Sequence, residues 1–258
     1  NASSGYDEVY SDIIKKTSSI YLHPLTHLIN CSLSQGFFPD KMKIAKVIPL
    51  YKSGDAMNIS NYRPVSILPV FSKIFERIMY DRIFSFIKRH EILYKYQFGF
   101  RERHNTNMAL MVLVDKISSA IDNGDIVVGV FLDFKKAFDT VDHDILLQKL
   151  DKYGIRGSAF AWLKDYLSYQ KQFVCFDNVI SERKLIRCGV PQGSILGPLL
   201  FLLYINDIVN VSQILLPILF ADDANIFVSG KSVESAIQVM NGEISSKVVD
   251  WLNANKLT

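Results

Sequence analysis

Residues 219–226 read LFADDANI and place two adjacent carboxylates, Asp222 and Asp223, between two apolar runs. These runs, residues 214–220 and 224–228, favour β structure, and two such runs around a short polar centre are typical of a β-hairpin. We therefore predict a hairpin that holds both carboxylates at its tip. Two neighbouring Asp side chains repel each other, which raises a pKa unless a cation is close. The pair is thus either freely solvated or part of a metal site.

A second stretch, upstream of the hairpin, favours the metal site. Residues 127–141 read VVGVFLDFKKAFDTV, and the apolar run over residues 126–132 ends abruptly at Asp133. This run predicts a buried strand with an acidic residue at its carboxyl end, where sites are common. One carboxylate there and a pair on a hairpin tip can share two divalent metals that clamp the oxygens of a phosphoryl displacement. Mg²⁺ is the natural ion, because it prefers hard oxygen ligands.

A third stretch, residues 189–198, reads GVPQGSILGP and lies between the two carboxylate stretches. In order and spacing, the three stretches resemble the palm motifs of reverse transcriptases. SILGP, and Phe220 two residues before Asp222, are similar to non-LTR (LINE-type, jockey/CR1-like) retrotransposon enzymes. The resemblance implies an α+β fold with the fingers and palm of a right-hand polymerase, an antiparallel palm sheet backed by helices, and a missing thumb.

The resemblance also implies the roles of the acidic residues. Asp133, Asp222 and Asp223 are the predicted catalytic residues, and they would hold two Mg²⁺ ions, for which Mn²⁺ is a possible substitute. The carbonyl oxygen of Phe134 would add one more metal ligand. Within the pair, Asp222 is expected to be the stronger ligand.

Four further residues are implied to bind the incoming nucleotide. Lys52 and Arg63 fall where cations of the fingers meet the triphosphate, which suits the planar donor fork of arginine. Gln192 would project toward the nucleotide and template pair. Phe138 would lie under the sugar, where a ring clashes with a ribose 2′-OH and so selects deoxyribose. Without the resemblance, Arg63 reads as a solvated surface residue and Phe138 as a core residue.

Template contact is predicted for a basic and aromatic stretch. Residues 96–106 read YQFGFRERHNT, and rings beside arginines suit stacking on bases and contact with phosphates. The stretch resembles the template-side segment of the fingers. Arg101 and Arg103 are the candidate template-binding residues.

Periodicity predicts several helices around these motifs. The clearest is residues 70–89, where apolar side chains recur at helical spacing. Thr106 is predicted to cap a helix over residues 107–122, and Asp139 to cap one over residues 141–153.

Two further predictions concern the segments around the last motifs. Strands over residues 172–176 and 184–188 are predicted to pair. Residues 232–252 are predicted to form one helix with Ile237 on its buried face.

Composition sets wide limits on the class of protein. The chain has 258 residues, a net charge of +3, 49% hydrophobic residues and 21% charged residues, which is ordinary for a globular protein. The three scattered cysteines predict reduced thiols and an intracellular location. No apolar run reaches the roughly 20 residues of a membrane span, so no membrane partner is expected. The resemblance adds the nucleus and the cytoplasm as locations.

The resemblance divides the chain into three regions that together form one reverse transcriptase domain. Residues 1–43 are predicted to be an N-terminal helical extension, residues 44–124 the fingers, and residues 125–258 an incomplete palm. The chain is read as a fragment, because the endonuclease expected upstream and the thumb expected downstream are absent from it.

The predicted function is RNA-directed DNA polymerisation, a nucleotidyl transfer. A primer 3′-OH would attack the α-phosphate of a deoxynucleoside triphosphate, and the partners would be an RNA template, a DNA primer or target DNA, and dNTPs. Two alternatives remain open. One is a group II intron-type maturase, and the other is a truncated, inactive remnant that binds RNA.

Overall fold

The structure is a computed structural model that describes residues 4–177 and 179–258. Residues 1–3, which begin the predicted N-terminal extension, and Asn178 lie outside the described residues. In chain order the principal elements are α1 (Ser11–Lys16), α2 (Ser18–Gln35), β1 (Ile44–Tyr51), β2 (Tyr62–Ile67), α3 (Val70–Arg89), α4 (Thr106–Asp122), β3 (Ile126–Asp133), α5 (His143–Lys152), α6 (Gly157–Leu167), β4 (Lys171–Phe176), β5 (Val179–Ile180), β6 (Lys184–Leu185), α7 (Leu196–Ile205), β7 (Leu216–Phe220), β8 (Asp223–Gly230), α8 (Val233–Glu243) and α9 (Val249–Ala254).

The chain folds into two compact units, each built from two separate stretches. The first unit contains residues 1–86 and 142–200, and the second contains residues 87–141 and 201–258. The predicted boundaries after residues 43 and 124 separate the extension, the fingers and the palm, and they are not meant to separate compact units. The division into extension, fingers and palm stays a prediction.

The first unit is built on a mixed sheet. β1 pairs antiparallel with β2 and parallel with β4, and β4 continues antiparallel to β5 and β6. The predicted pairing of residues 172–176 with residues 184–188 is present at one end, where Gln172 lies opposite Lys184. It is shorter than predicted, because the other end of β4 pairs with β5 instead.

The core of the first unit is aromatic. Phe38, which is fully buried, packs edge-on against Phe75, Trp162 and Tyr166. The Trp162 Nε1 donates to Ser32 Oγ at 2.9 Å, so the buried indole N–H is satisfied. These contacts join α2, α3 and α6 into one packed layer.

The second unit is built on the antiparallel sheet β3–β8–β7, as the resemblance implies for a palm. Successive side chains of β8 point to opposite faces of the sheet. Phe227 packs in a cluster with side chains of α4, whereas Ile226 and Val228 pack in a cluster with side chains of α8. The sheet is therefore backed by helices on both faces.

The prediction that the strand before Asp133 is buried is wrong. β3 is an edge strand, and its burial alternates, with Phe131 71% exposed and Ile126 39% exposed. Gly129 leaves room for the ring of Phe227, since a Cβ there would lie 2.6 Å from Phe227 Cε1. A continuous apolar run thus forms a strand that is partly covered on both faces and has no fully buried residue.

Helix α3 begins and ends as predicted, but two predicted caps are wrong. The cap of α4 is Asn105, whose side chain accepts from the Met108 N–H, and not Thr106, which is the first helical residue. The cap of α5 is Asp142, which accepts from two N–H groups, and not Asp139. In both cases a short Asx side chain reaches the orphan donors of the first turn.

The predicted single helix over residues 232–252 is interrupted. α8 and α9 are separated by a π-helical segment, Ile244–Val248. Ser232 caps α8 in a capping box with Ser235. Ile237, predicted on the buried face, is 44% exposed.

Within the described part of the chain, no helix combines the length and the apolar character needed to cross a bilayer.

Candidate active site

The second unit brings the three predicted catalytic carboxylates together. Asp133 is the last residue of β3, and Asp223 is the first residue of β8. The antiparallel register places these two residues directly opposite each other, and Asp222 lies in the turn between β7 and β8. Opposed residues of an antiparallel pair have Cα atoms about 4.5–5.5 Å apart. Three acidic residues therefore lie together at one end of the sheet, where β3 ends and β8 begins.

The electrostatics of this end of the sheet show that the carboxylates interact. Desolvation by partial burial raises the pKa of Asp223, and the negative charges of Asp222 and Asp133 raise it further. A carboxylate whose neighbours are also negative favours either a proton or a cation.

The donor chemistry of the three carboxylates fits a hard divalent cation such as Mg²⁺. Across residues 4–177 and 179–258, however, no group of three histidine, cysteine or acidic side chains is arranged to hold a metal ion. Phe134, whose carbonyl is a predicted ligand, has a buried side chain and follows β3 directly.

The backbone of the turn is strained immediately before Asp222. Ala221 has a φ of +56°, in the left-handed region that a non-glycine residue rarely adopts. The side chain of Gln97 hydrogen-bonds to both the N–H and the carbonyl of Ala221. Sequence reasoning did not assign Gln97 any role, although a polar residue between two aromatic ones, Tyr96 and Phe98, was a usable signal.

Phe138 lies a few residues beyond Asp133, in a short 3₁₀ turn, Ala137–Asp139. Its ring stacks on Phe201 with the centroids 4.7 Å apart and meets Phe100 edge-on at 5.9 Å. The ring is half-buried, so one part is held by neighbours and another part faces outward. The role in sugar selection stays a prediction.

Lys52 and Arg63 belong to the first unit, on one β-hairpin. Lys52 directly follows β1, its N–H donates to the Asn61 carbonyl, and Arg63 pairs with Leu50 across the strands. Both basic side chains are exposed. The hairpin thus presents two cations to solvent, and nucleotide binding by them stays a prediction.

Gln192 also belongs to the first unit, in a loop that lies against β2. The N–H of Ser66 donates to the Gln192 carbonyl at 2.7 Å. Gly193 has a φ of +126°, and a Cβ there would lie 2.3 Å from the Ser66 oxygen. The glycine of PQG is therefore needed for close packing on a strand of the same unit. Contact of Gln192 with a nucleotide stays a prediction.

The two candidate template-binding arginines differ in environment. Arg101 is half-buried, and its Nη1 donates to the carbonyls of Tyr94 and Gln97 at 2.9 and 3.0 Å. Burial also lowers the pKa of Arg101. Arg103 is exposed and has a φ of +59°. Part of the Arg101 guanidinium is thus engaged within the second unit, while Arg103 faces solvent.

The fold is that of polymerase fingers and palm. It is similar to a solved structure of telomerase from Candida albicans in complex with a fragment of telomeric RNA, with a TM-score of 0.53 over 83% of this chain and 41% of that chain. The sequences are only 13% identical, so this likeness shows the fold alone. The predicted α+β class, with an antiparallel sheet backed by helices, is confirmed.

The chain belongs to the reverse transcriptase (RNA-dependent DNA polymerase) family, whose model matches residues 50–258. This confirms the family that the three palm motifs indicate.

Individual relatives are proteins of mobile elements. The chain is 35% identical to a probable RNA-directed DNA polymerase from transposon X-element of Drosophila melanogaster, over 80% of this chain and 23% of that protein. It is 33% identical to the RNA-directed DNA polymerase from mobile element jockey of the same species, over 82% of this chain and 24% of that protein. A putative 115 kDa protein in type-1 retrotransposable element R1DM, also of D. melanogaster, is 28% identical over 96% of this chain and 24% of its own length. The prediction of a non-LTR, jockey-like family is confirmed, and the chain spans about a quarter of the length of these curated relatives.

Proposed function

We propose that this chain carries the catalytic site of an RNA-directed DNA polymerase of a non-LTR retrotransposon. The observation that supports it best is the register of the second sheet, which sets Asp133 opposite Asp223 with Asp222 in the adjoining turn. The substrates would be an RNA template, a DNA primer or target DNA, and dNTPs. Family membership and the names of the relatives support this choice of substrates.

The three carboxylates would hold two Mg²⁺ ions, which Mn²⁺ could replace. When bound, such ions lower the pKa of the primer hydroxyl and stabilise the pyrophosphate leaving group. Asp133 and Asp223 would bind the ions from the facing ends of their strands, and Asp222 would bind them from the turn. The negative charges of Asp222 and Asp133 beside Asp223 are expected to favour cation binding, since bare carboxylates repel one another here.

The remaining residues would position the substrates. Lys52 and Arg63 would contact the triphosphate, because their positively charged side chains are exposed on one hairpin. Phe138 would exclude the ribose 2′-OH with its braced ring. Gln192 would approach the nucleotide, and Arg103 the template phosphates.

Primer extension on an oligo(dT)-primed RNA template, in Mg²⁺ or Mn²⁺, tests the proposal. Asp222→Asn should abolish extension, because it removes a charged ligand, and should leave RNA binding largely intact. The matched control is Asp115→Asn, which changes an exposed carboxylate of α4 outside the site. It should extend the primer as the parent does.

Three outcomes of this experiment have different meanings. Extension by the parent and by Asp115→Asn, but not by Asp222→Asn, supports the polymerase. RNA binding by all three proteins without extension by any would favour the RNA-binding remnant. Equal loss of RNA binding and extension in Asp222→Asn would count against a catalytic role for this carboxylate.

A further inference from the structure

The turn that carries Asp222 holds a conformation that the local sequence does not favour. The left-handed φ of Ala221 has a cost in free energy for an L-residue. Such strain persists only where the surroundings over-determine it, and it clusters at functional sites. Some other part of the second unit must therefore hold the turn in place.

The side chain of Gln97 makes the hydrogen bonds that hold it. Gln97 Oε1 accepts from the Ala221 N–H at 3.0 Å and from the Gly99 N–H at 2.8 Å. Gln97 Nε2 donates to the Ala221 carbonyl at 3.4 Å. Because the Oε1 atom accepts from two backbone N–H groups, it must be the amide oxygen and not the amide nitrogen. Because Gln97 is only 2% exposed, water does not compete for these bonds.

The backbone around Gln97 lies along the end of β7. The Phe98 N–H donates to the Leu219 carbonyl at 2.8 Å, and the Leu219 N–H donates to the Tyr96 carbonyl at 2.9 Å. At Gly99 the approach is so close that a Cβ would lie 2.0 Å from the Ala221 nitrogen. The segment of residues 96–99 is thus fixed against the strand that leads into the Asp pair.

Arg101 fixes the same segment from its other side. Its Nη1 bridges the carbonyls of Tyr94 and Gln97, so the main chain at Gln97 is held while the side chain reaches the turn. Arg101, Gln97 and Ala221 form a continuous hydrogen-bonded path that ends one residue before Asp222.

We propose that Gln97 is a positioning residue for the catalytic carboxylates: its amide clamps Ala221 and so sets the place of Asp222 relative to Asp133 and Asp223. The inference rests on the proposed function of these carboxylates. Groups that bind metal and substrate must be held within about 0.5 Å of productive geometry. A displacement of about 1 Å can cost roughly 100-fold in rate.

The test compares Gln97→Met with Gln170→Met. Methionine keeps the length of the side chain and removes both hydrogen-bonding functions. Gln170 is a buried glutamine of the first unit, 4% exposed, whose Nε2 donates to the Tyr166 carbonyl. Both variants lose a buried amide, and only Gln97 contacts the turn. Gln170→Met therefore controls for the loss of a buried amide, and only Gln97→Met should disturb the site.

Three measurements separate positioning from general stability. Amide hydrogen exchange reports the Ala221 N–H directly. Mn²⁺ binding, followed by the paramagnetic resonance of the free ion, reports the carboxylates without any turnover. Primer extension gives kcat and the KM for dNTP.

In Gln97→Met, we expect the Ala221 amide to lose protection and Mn²⁺ affinity to fall about 10-fold or more. The kcat should fall about 10- to 100-fold with little change in KM. Gln170→Met should keep the parental values of all three.

Unchanged exchange of the Ala221 amide in Gln97→Met would overturn the inference, as would equal losses of Mn²⁺ affinity in both variants. If no protein extends a primer while the exchange and Mn²⁺ results are as expected, the polymerase proposal fails and the positioning role stands. If Gln97→Met does not fold, Gln97→Glu replaces it, because a carboxylate still accepts from both N–H groups. Loss of Ala221 protection in that variant would also contradict the inference.

Discussion

At the scale of single residues, the environment of Phe138 bears directly on substrate choice. The stacked ring of Phe201 and the edge-on ring of Phe100 restrict how far Phe138 can rotate. A ring braced in this way can act as a fixed steric barrier, whereas a free ring would move aside. The proposed selection of deoxyribose therefore depends on the bracing as well as on the ring itself.

Replacing Phe138 with valine should let ribonucleotides enter. We expect the ratio of kcat/KM for dNTP over rNTP to fall about 10-fold or more, because the barrier to the 2′-OH is removed. Single-nucleotide incorporation with matched dNTP and rNTP measures this ratio. Phe138→Tyr is the control, since it keeps the ring and should keep the discrimination. Parental discrimination in the valine variant would remove Phe138 from the site.

Arg101 and Arg103 should have different roles. Arg101 should stabilise the fold, and Arg103 should bind RNA. Arg101→Ala removes a donor of the Gln97 carbonyl and one of two donors of the Tyr94 carbonyl, and it should lower the free energy of unfolding by about 1–3 kcal/mol. Arg103→Ala should leave stability within about 0.5 kcal/mol. It should weaken RNA binding and reduce the salt dependence of binding by about one counterion.

Chemical denaturation and RNA titration at several salt concentrations check both arginine expectations. Each variant serves as the control for the other. An Arg101→Ala protein of parental stability, or an Arg103→Ala protein of parental RNA affinity and salt slope, would contradict the assignment.

At the scale of elements, a buried acid of α3 caps the amino end of α7. Glu76 Oε2 accepts from the N–H groups of Ile195 and Leu196 at 2.7 and 3.2 Å, and Ser72 Oγ donates to Oε1 at 3.0 Å. Orphan donors at a helix start are usually capped by a residue near in sequence, as Ser194 Oγ does for the Gly197 N–H, but here a residue of another helix adds a second cap. Within the first unit, this contact joins α3 to the amino end of α7, which is far from it in the chain.

Burial raises the pKa of Glu76 above its usual 4.5, and the hydrogen bonds from Leu196, Ile195 and Ser72 only partly offset that effect. The folded protein therefore keeps the Glu76 proton to higher pH than the unfolded chain does. The associated stability is fully present below about pH 4.5 and is lost as pH rises through the folded pKa.

Glu76→Gln should remove this pH dependence. The amide oxygen still accepts from the helix start, and the Ser72 hydroxyl can rotate to accept instead of donate. The stability of the variant should therefore increase relative to the parent as pH rises above 4.5, with a slope of at most about 1.4 kcal/mol per pH unit. Urea unfolding between about pH 4 and pH 9 measures the difference. Parallel pH profiles of the two proteins would exclude Glu76 as the titrating group.

At the scale of the whole molecule, the second unit collects negative charge at one end of its sheet. Partial burial raises the pKa of Asp223, and the negative charges of Asp222 and Asp133 raise it further. A cation that binds there must stabilise the folded chain, because the unfolded chain does not hold these residues together.

Divalent metal should therefore raise the stability of the parent protein. At about 100 times its dissociation constant, Mg²⁺ or Mn²⁺ should add about 2.7 kcal/mol to the free energy of unfolding. Thermal unfolding with and without the ion measures the gain. Asp222→Asn should show a smaller gain, while Asp115→Asn should match the parent. Equal gains in all three proteins would place the metal elsewhere.

Much of the fold could be predicted from local sequence patterns. The apolar runs around Asp222 and Asp223 form the predicted hairpin, and the stripe of residues 70–89 forms the predicted helix. Such patterns allow prediction because the side chains that define them lie within one or two turns of a helix or along one strand. Burial and capping were predicted less well, as Phe131 and Asp139 show, because both depend on what packs nearby.

The sequence by itself determined which carboxylates carry the proposed chemistry, because acidic residues that interrupt apolar strands stand out locally. Only the tertiary structure decided how they are held. The opposition of Asp133 and Asp223 depends on strand register, and the clamp on Ala221 comes from Gln97, 124 residues away. Contacts between such distant residues leave no periodic pattern in the chain, since packing of the folded units brings them together.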